Sequence, residues 1–203
     1  MALPMVHLVA ARMWAQDQKE YANCPEYYLG ALSPDAIHIR DGNDKSHKDE
    51  IHLNNWCVPN PERVLEYWRL HRTPFDIGYG VHVLIDGQWA VGFRRDFPEM
   101  LLPSGKPNPD IYYNDTCRVD FELYDQYAPD GFFAEMLNRA VPPQDHPLLT
   151  ANEIGAWRDE MFRFYDRQCP KNDPIRFITR EYVDRFIREC LALPKQLYKE
   201  AFQ

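Results

Sequence analysis

Residues Phe75–Trp89 read FDIGYGVHVLIDGQW, and this stretch decides the fold. It is apolar over most of its length, yet it carries His82 and Asp86 four residues apart. On a helix, positions i and i+4 project from one face. The short run VHVLI is β-branched and compatible with a strand. The length of the segment, its flanks and its polar pair favour a helix. Thr73-Pro74 supplies an N-cap and a first-turn proline for it. A helix this apolar belongs in the core, where a charged side chain must be paired or bind a metal. His82 with Asp86 is thus either a hydrogen-bonded core pair or part of a metal site.

Working outward, the helical period dominates. Leu3 to about Tyr21 reads as a first helix with Val6, Val9, Ala10, Met13 and Trp14 on its apolar side. Helices are expected at Pro25–Leu32, Pro61–Leu70, Asp110–Tyr127, near Gly131–Val141, at Thr150–Gln168 and at Thr179–Leu193, with a weak continuation past Pro194. Thr150 with Glu153 has the spacing of a capping box. Ser33 to Asn60 reads as a long irregular segment holding His38, His47 and His52; loops of that length are often functional. Phe97–Pro109, with four prolines, reads as a surface loop. The expected fold is all-α, a single domain over residues 1–203, packed as a bundle around the His-x-x-x-Asp helix.

Composition narrows the function. Hydrophobic residues make up 45% of the 203, as in a globular protein. The formal charge of −8 argues against stable nucleic-acid binding, which needs a basic surface. Five cysteines (Cys24, Cys57, Cys117, Cys169 and Cys190) include no CxxC pair, so neither a thiolate zinc site nor a disulfide framework is expected. Reduced thiols in a cytoplasmic protein fit this pattern best. The first residues lack the cationic leader of a secretory signal, and no apolar run is long enough for a transmembrane segment.

Three further candidate ligands lie upstream: His7 in PMVHLVAARMW, Asp35 in ALSPDAIHIR and His52 in KDEIHLNNW. A hydrolytic metal site needs neutral imidazoles, ionised carboxylates and an open position. Asp86, one turn from His82, is suited to bridge two ions. His82, His52 and Asp35 would complete the first, and His7 with Asp86 the second. Arg40, with its planar fork, and His38 lie just beyond Asp35 and are candidates for holding a substrate phosphate. Asp115 and Asp120 stand beside aromatics that could line a pocket mouth, but their five-residue spacing aligns them poorly on a helix, and core packing by Tyr112, Tyr113 and Phe121 is the simpler reading.

In their order these motifs resemble the bacterial zinc-dependent phospholipase C family, related in fold to zinc-dependent single-strand nucleases. The early helical histidine is matched by His7, a Gly-x-x-x-Pro-Asp segment by Gly30, Pro34 and Asp35, a His-aliphatic motif by His52-Leu53, and the helical His-x-x-x-Asp by His82 and Asp86, with Trp89 following as in small intracellular members. The match covers roughly the first half of the chain. The resemblance implies an all-helical hydrolase of a small phosphoester or phospholipid headgroup, using zinc-activated water, with Asp35 as ligand and general base. One or two zinc ions are expected, and iron or manganese accept the same ligand set. The secreted members carry a further His/His/Glu set after the His-x-x-x-Asp motif; here the only later histidine is His146. The competing expectation is a non-catalytic helical module that binds a metal for stability or serves as a protein-interaction surface.

Overall fold

A computed structural model describes residues 3–42, 46–54, 58–170 and 173–202. Cys57 lies outside them. The described residues form helices α1 (Pro4–Ala15), α2 (Pro25–Leu32), α3 (Ile37–Asp41), α4 (Lys48–Ile51), α5 (Pro61–Leu70), α6 (Pro74–Asp96), α7 (Pro109–Tyr127), α8 (Phe132–Arg139), α9 (Ala151–Tyr165), α10 (Arg180–Cys190) and α11 (Ala192–Phe202). No strand occurs among them, and Leu101 and Pro107 form an isolated bridge. The fold is all-α.

The quoted stretch lies inside α6, and VHVLI is helical. The Thr73 hydroxyl accepts from the Asp76 amide, and the Asp76 carboxylate accepts from the Thr73 amide, so a full capping box starts the helix. Arg94 and Arg95 face the negative end of the helix dipole in the last turn. Between Phe75 and Gly87 every residue is buried, as expected for a helix surrounded by others. α2 lies along α6 in the most extensive helix pairing among the described residues. A Cβ on Gly30 would stand 2.0 Å from the Phe75 carbonyl oxygen, and one on Gly78 would stand 2.0 Å from that of Tyr27. Only hydrogen at those two positions lets the backbones meet.

Three expectations are corrected. The first helix stops at Ala15, because successive turns (Asp17 amide to Trp14 carbonyl, then Gln18 amide to Ala15 carbonyl) tighten the chain where the polar run Gln16–Glu20 leaves the core. The segment from Ser33 is partly regular: Ser33–Ala36 is a 3₁₀ turn that leads directly into α3, and Lys48–Ile51 forms α4. Pro34 suits that turn, and the Ser33 hydroxyl donates to the Leu29 carbonyl at 2.6 Å. Past Pro194 the chain forms a full helix, since the proline falls in the first turn of α11, where it costs no hydrogen bond. Tyr198 on α11 then meets Tyr21, with hydroxyls 3.1 Å apart. The capping box at Thr150 and Glu153 forms as expected.

Asp115 and Asp120 are structural anchors. Asp120 accepts from the Met5 and Val6 amides at 3.1 and 3.3 Å and from the Tyr165 hydroxyl, fixing the start of α1. Asp115 accepts from the amides of Arg176, Phe177 and Ile178, and docks residues 173–178 on α7.

His146 is anchored as well. Its Nδ1 accepts from the Leu148 and Leu149 amides, which leaves the proton on Nε2, 2.9 Å from the Tyr67 hydroxyl. That hydroxyl donates onward to Asp76 at 2.7 Å. Burial pushes the imidazole down to about 4 against the opposing Asp76 charge. The depressed value means that its stabilisation is present above pH ~6.5 and is lost as the pH falls through about 4. The unscreened contribution is about 3 kcal/mol, and the partly exposed ring reduces it to ~1–2 kcal/mol. Denaturant unfolding at pH 7 and pH 4.5 should show His146→Asn losing less stability than the native chain by that amount. Parallel losses would contradict the assignment.

Candidate metal centre

Four elements deliver five side chains to one place. α1 supplies His7, the 3₁₀ turn after α2 supplies Asp35, the end of α4 supplies His52, and α6 supplies His82 and Asp86. All five are buried, the most exposed being Asp86 at 5%. His52 Nε2 lies 3.3 Å from Asp35 and 3.9 Å from Asp86, and His82 Nε2 lies 3.9 Å from Asp35. The His7 and His82 rings stack with centroids 3.6 Å apart. One ligand atom each from His7, Asp35 and His82 lies within 4.8 Å of the others.

Backbone carbonyls set the orientation of two rings. His82 Nδ1 faces the Ala31 carbonyl at 2.8 Å, and His52 Nδ1 faces that of Lys48 at 3.2 Å. A neutral imidazole that donates from Nδ1 presents its lone pair at Nε2, the arrangement of a metal-ligating histidine. Both Nε2 atoms therefore point at carboxylates, an arrangement that holds only with a proton or a cation between them. His7 Nδ1 and Nε2, His52 Nε2, His82 Nε2 and Asp35 Oδ1 have no hydrogen-bond partner among the described residues. Buried polar atoms are rarely left so, and a cluster of them needs an explanation.

The charges point the same way. Burial lowers the His7 imidazole to about 4, against the pull of Asp35 and Asp86. Burial and the neighbouring His7 hold His82 well below its ordinary value. Burial works to raise the Asp35 carboxyl, and the His52 and His82 rings beside it keep it below the usual carboxylate range. Asp86 behaves alike: burial opposes its charge, and Lys48, His52 and His7 are among the groups that outweigh it. Two ionised carboxylates in a dry pocket need about two positive charges nearby. A single proton between His52 and Asp35 would still leave the His7 and His82 nitrogens without partners. A divalent cation would take up one nitrogen each of His7 and His82 and a carboxylate oxygen of Asp35, so those three residues fit one. Ligands held about 2.0–2.2 Å from zinc stand closer together than the spacing seen here, so the side chains would close in by up to about an ångström.

The grouping differs from the sequence-based expectation, and His52 and Asp86 stand outside the set of ligand atoms that lie within 4.8 Å of one another. His7 falls in with Asp35 and His82, not with Asp86 around a separate ion. The reason is its stacking on His82, which sets the two imidazoles side by side. The candidate substrate groups sit otherwise. Arg40 spends its fork on Glu153, at 2.6 and 2.9 Å, and on the Leu148 carbonyl, tying α3 to the start of α9. His38 Nδ1 faces the Gly42 carbonyl at 3.3 Å, while its Nε2 is buried without a hydrogen-bond partner among the described residues. Exposed His47 pairs with Asp41 at 3.0 Å.

Two supports of the site go beyond the sequence-based expectation. The Tyr79 hydroxyl donates to the Ile51 carbonyl at 2.5 Å, tying the His52 turn to α6 one turn before His82. Leu53 has φ of 51°, a left-handed conformation that costs a branched side chain about 1 kcal/mol or more, directly after His52. A tyrosine three residues before a candidate ligand is the signal available for the first. Nothing in the sequence marks the second.

Comparison of the chain with protein-family models, with curated proteins and with solved structures finds no match. Fold and site together define an all-α protein with a buried His7, Asp35 and His82 group that could hold a metal ion.

Proposed function

We propose that the chain is a metal-dependent phosphoester hydrolase, with zinc as the resident ion. The observation that carries this reading is the set of buried imidazole nitrogens that face Asp35 and Asp86 and lack hydrogen-bond partners among the described residues. Imidazole-rich sites favour zinc, and iron or manganese remain compatible with His/Asp ligands. His7, Asp35 and His82 would hold the ion, with His52 and Asp86 completing its surroundings. A bound divalent ion supplies Lewis acidity and lowers the pKa of a water that it holds.

The protein groups do the rest. Asp35 Oδ1 has no hydrogen-bond donor of its own among the described residues and is placed to take a proton from an attacking water. The Ala31 and Lys48 carbonyls fix His82 and His52 so that no reorientation is needed during reaction. Arg40 would reach a substrate phosphate only by releasing Glu153. The substrate class is a small phosphoester or phospholipid headgroup, in line with the resemblance to the zinc-dependent phospholipase C family.

The near-complete burial of all five residues favours a second reading, a metal bound for stability alone. Hydrolysis of a chromogenic phosphodiester by zinc-loaded protein separates the two. The enzyme reading expects turnover that falls to the uncatalysed background in both His82→Ala and Asp86→Ala, together with the bound metal. Stoichiometric metal without turnover on any phosphomonoester or phosphodiester of a broad panel would leave the stability reading.

A further inference from the structure

We infer that Cys117 and Cys169 form a reversible redox site, closing into an intrachain disulfide when a hydroperoxide reaches Cys169. Their Sγ atoms stand 3.6 Å apart, in direct contact, although 52 positions separate them in the chain. Cys117 projects from α7 and is 6% exposed, while Cys169 follows α9 and is partly exposed. One sulfur is therefore open to a small oxidant, and the other waits behind it. This is the division of labour of a reacting and a resolving thiol.

The contact rests on a built frame. The Asn114 side-chain amide donates to the Asp173 and Pro174 carbonyls at 3.2 and 3.3 Å. Arg118, next to Cys117, donates to the Asp173 carbonyl at 2.7 Å. Asp115 accepts from three successive amides of the same segment. On the other side, the Tyr165 ring stacks on Tyr124 with centroids 4.3 Å apart, and its hydroxyl donates to Asp120. Both flanks of Cys169 are thus fastened to α7. The two sulfurs approach bonding distance with a local movement and no rearrangement of helices.

The chemistry balances without any other group of the protein. The Cys169 thiolate attacks one peroxide oxygen, the O–O bond breaks, and sulfenic acid forms as hydroxide leaves and takes up a proton. The Cys117 sulfur then attacks the Cys169 sulfur. The S–O bond breaks, the departing hydroxide takes the Cys117 proton, and the disulfide forms. Two thiols lose one electron each, and one hydroperoxide becomes two molecules of water, or water and an alcohol. A dithiol reductant reverses the step by thiol–disulfide exchange. The link would staple the segment between α9 and α10 to α7 and remove freedom from the unfolded chain.

The test uses the full chain treated with hydrogen peroxide and mapped by mass spectrometry. The expected product is one intrachain cross-link joining the peptides of Cys117 and Cys169, with loss of two hydrogens, reversal by dithiothreitol and a melting temperature raised by several degrees. Cys117→Ser should instead accumulate a sulfenic acid on Cys169 that dimedone traps. Cys169→Ser, at the more exposed position, should fold normally and form no cross-link at Cys117. Overoxidation of Cys169 in the native chain at the rate seen in Cys117→Ser would overturn the inference. So would cross-links confined to other cysteines, or no reaction at all.

Discussion

Asp35→Asn should abolish the stabilisation that zinc gives the native chain. Without metal, Asp35 is a buried carboxylate whose nearest neighbour, His52 Nε2 at 3.3 Å, offers a lone pair when neutral. An asparagine keeps the shape, removes the charge and can donate its amide hydrogen to that nitrogen. It carries no negative charge to hold a cation. In the native chain, zinc at a hundredfold excess over its Kd adds about 2.7 kcal/mol, and the variant should forfeit nearly all of it. Thermal scans of both proteins, in a chelator and in zinc, read the difference. A variant with an undiminished zinc response would mean that Asp35 does not hold the ion.

Gly78→Ala should rank, with Gly30→Ala, as the costliest addition of a single methyl group. The added Cβ would stand 2.0 Å from the Tyr27 carbonyl oxygen and 2.8 Å from the Ala31 amide nitrogen, both backbone atoms that cannot rotate away. α2 would have to withdraw from α6 by more than an ångström. Overpacking of this kind costs about 1–3 kcal/mol when side chains can yield, so ~3 kcal/mol or more is expected. The damage should reach the metal centre. The Ala31 carbonyl orients His82, and Asp35 follows directly from α2, so zinc affinity should fall at least tenfold with stability. Gly155→Ala is the internal control. That glycine lies inside α9 with nothing within 4 Å of the place an added methyl would take, and the same substitution should stabilise by about 0.5–1 kcal/mol. Chemical denaturation reads both. Equal effects at the two positions would remove the helix crossing as the cause.

Much of this architecture is legible in the chain. The length and polar pair of FDIGYGVHVLIDGQW and the Thr73-Pro74 start place the central helix, and Thr150 with Glu153 places the start of α9. Those signals are local, and local hydrogen bonds fix them. The convergence of His7, Asp35, His52, His82 and Asp86 is visible only as an ordered set of weak motifs, because sequence carries no distances. What escapes is non-local. The stacking of His7 on His82 depends on how α1 crosses α6. Glu153 captures Arg40 from 113 positions away, and that contact leaves no trace in the spacing of either residue. The sequence overextends α1 because Tyr21 continues the apolar pattern. Its partner, Tyr198, lies on α11 and holds it without a helix.

The most direct test of the central claim is the metal content of protein purified without added metal, read together with X-ray absorption at the edge of whichever ion is present. The account predicts at least one divalent ion per chain, zinc first, in a mixed imidazole and carboxylate shell about 2.0–2.2 Å from the ion, with both signals lost in His82→Ala. Metal-free protein that takes up no zinc, iron or manganese and gains no stability from any of them would contradict it.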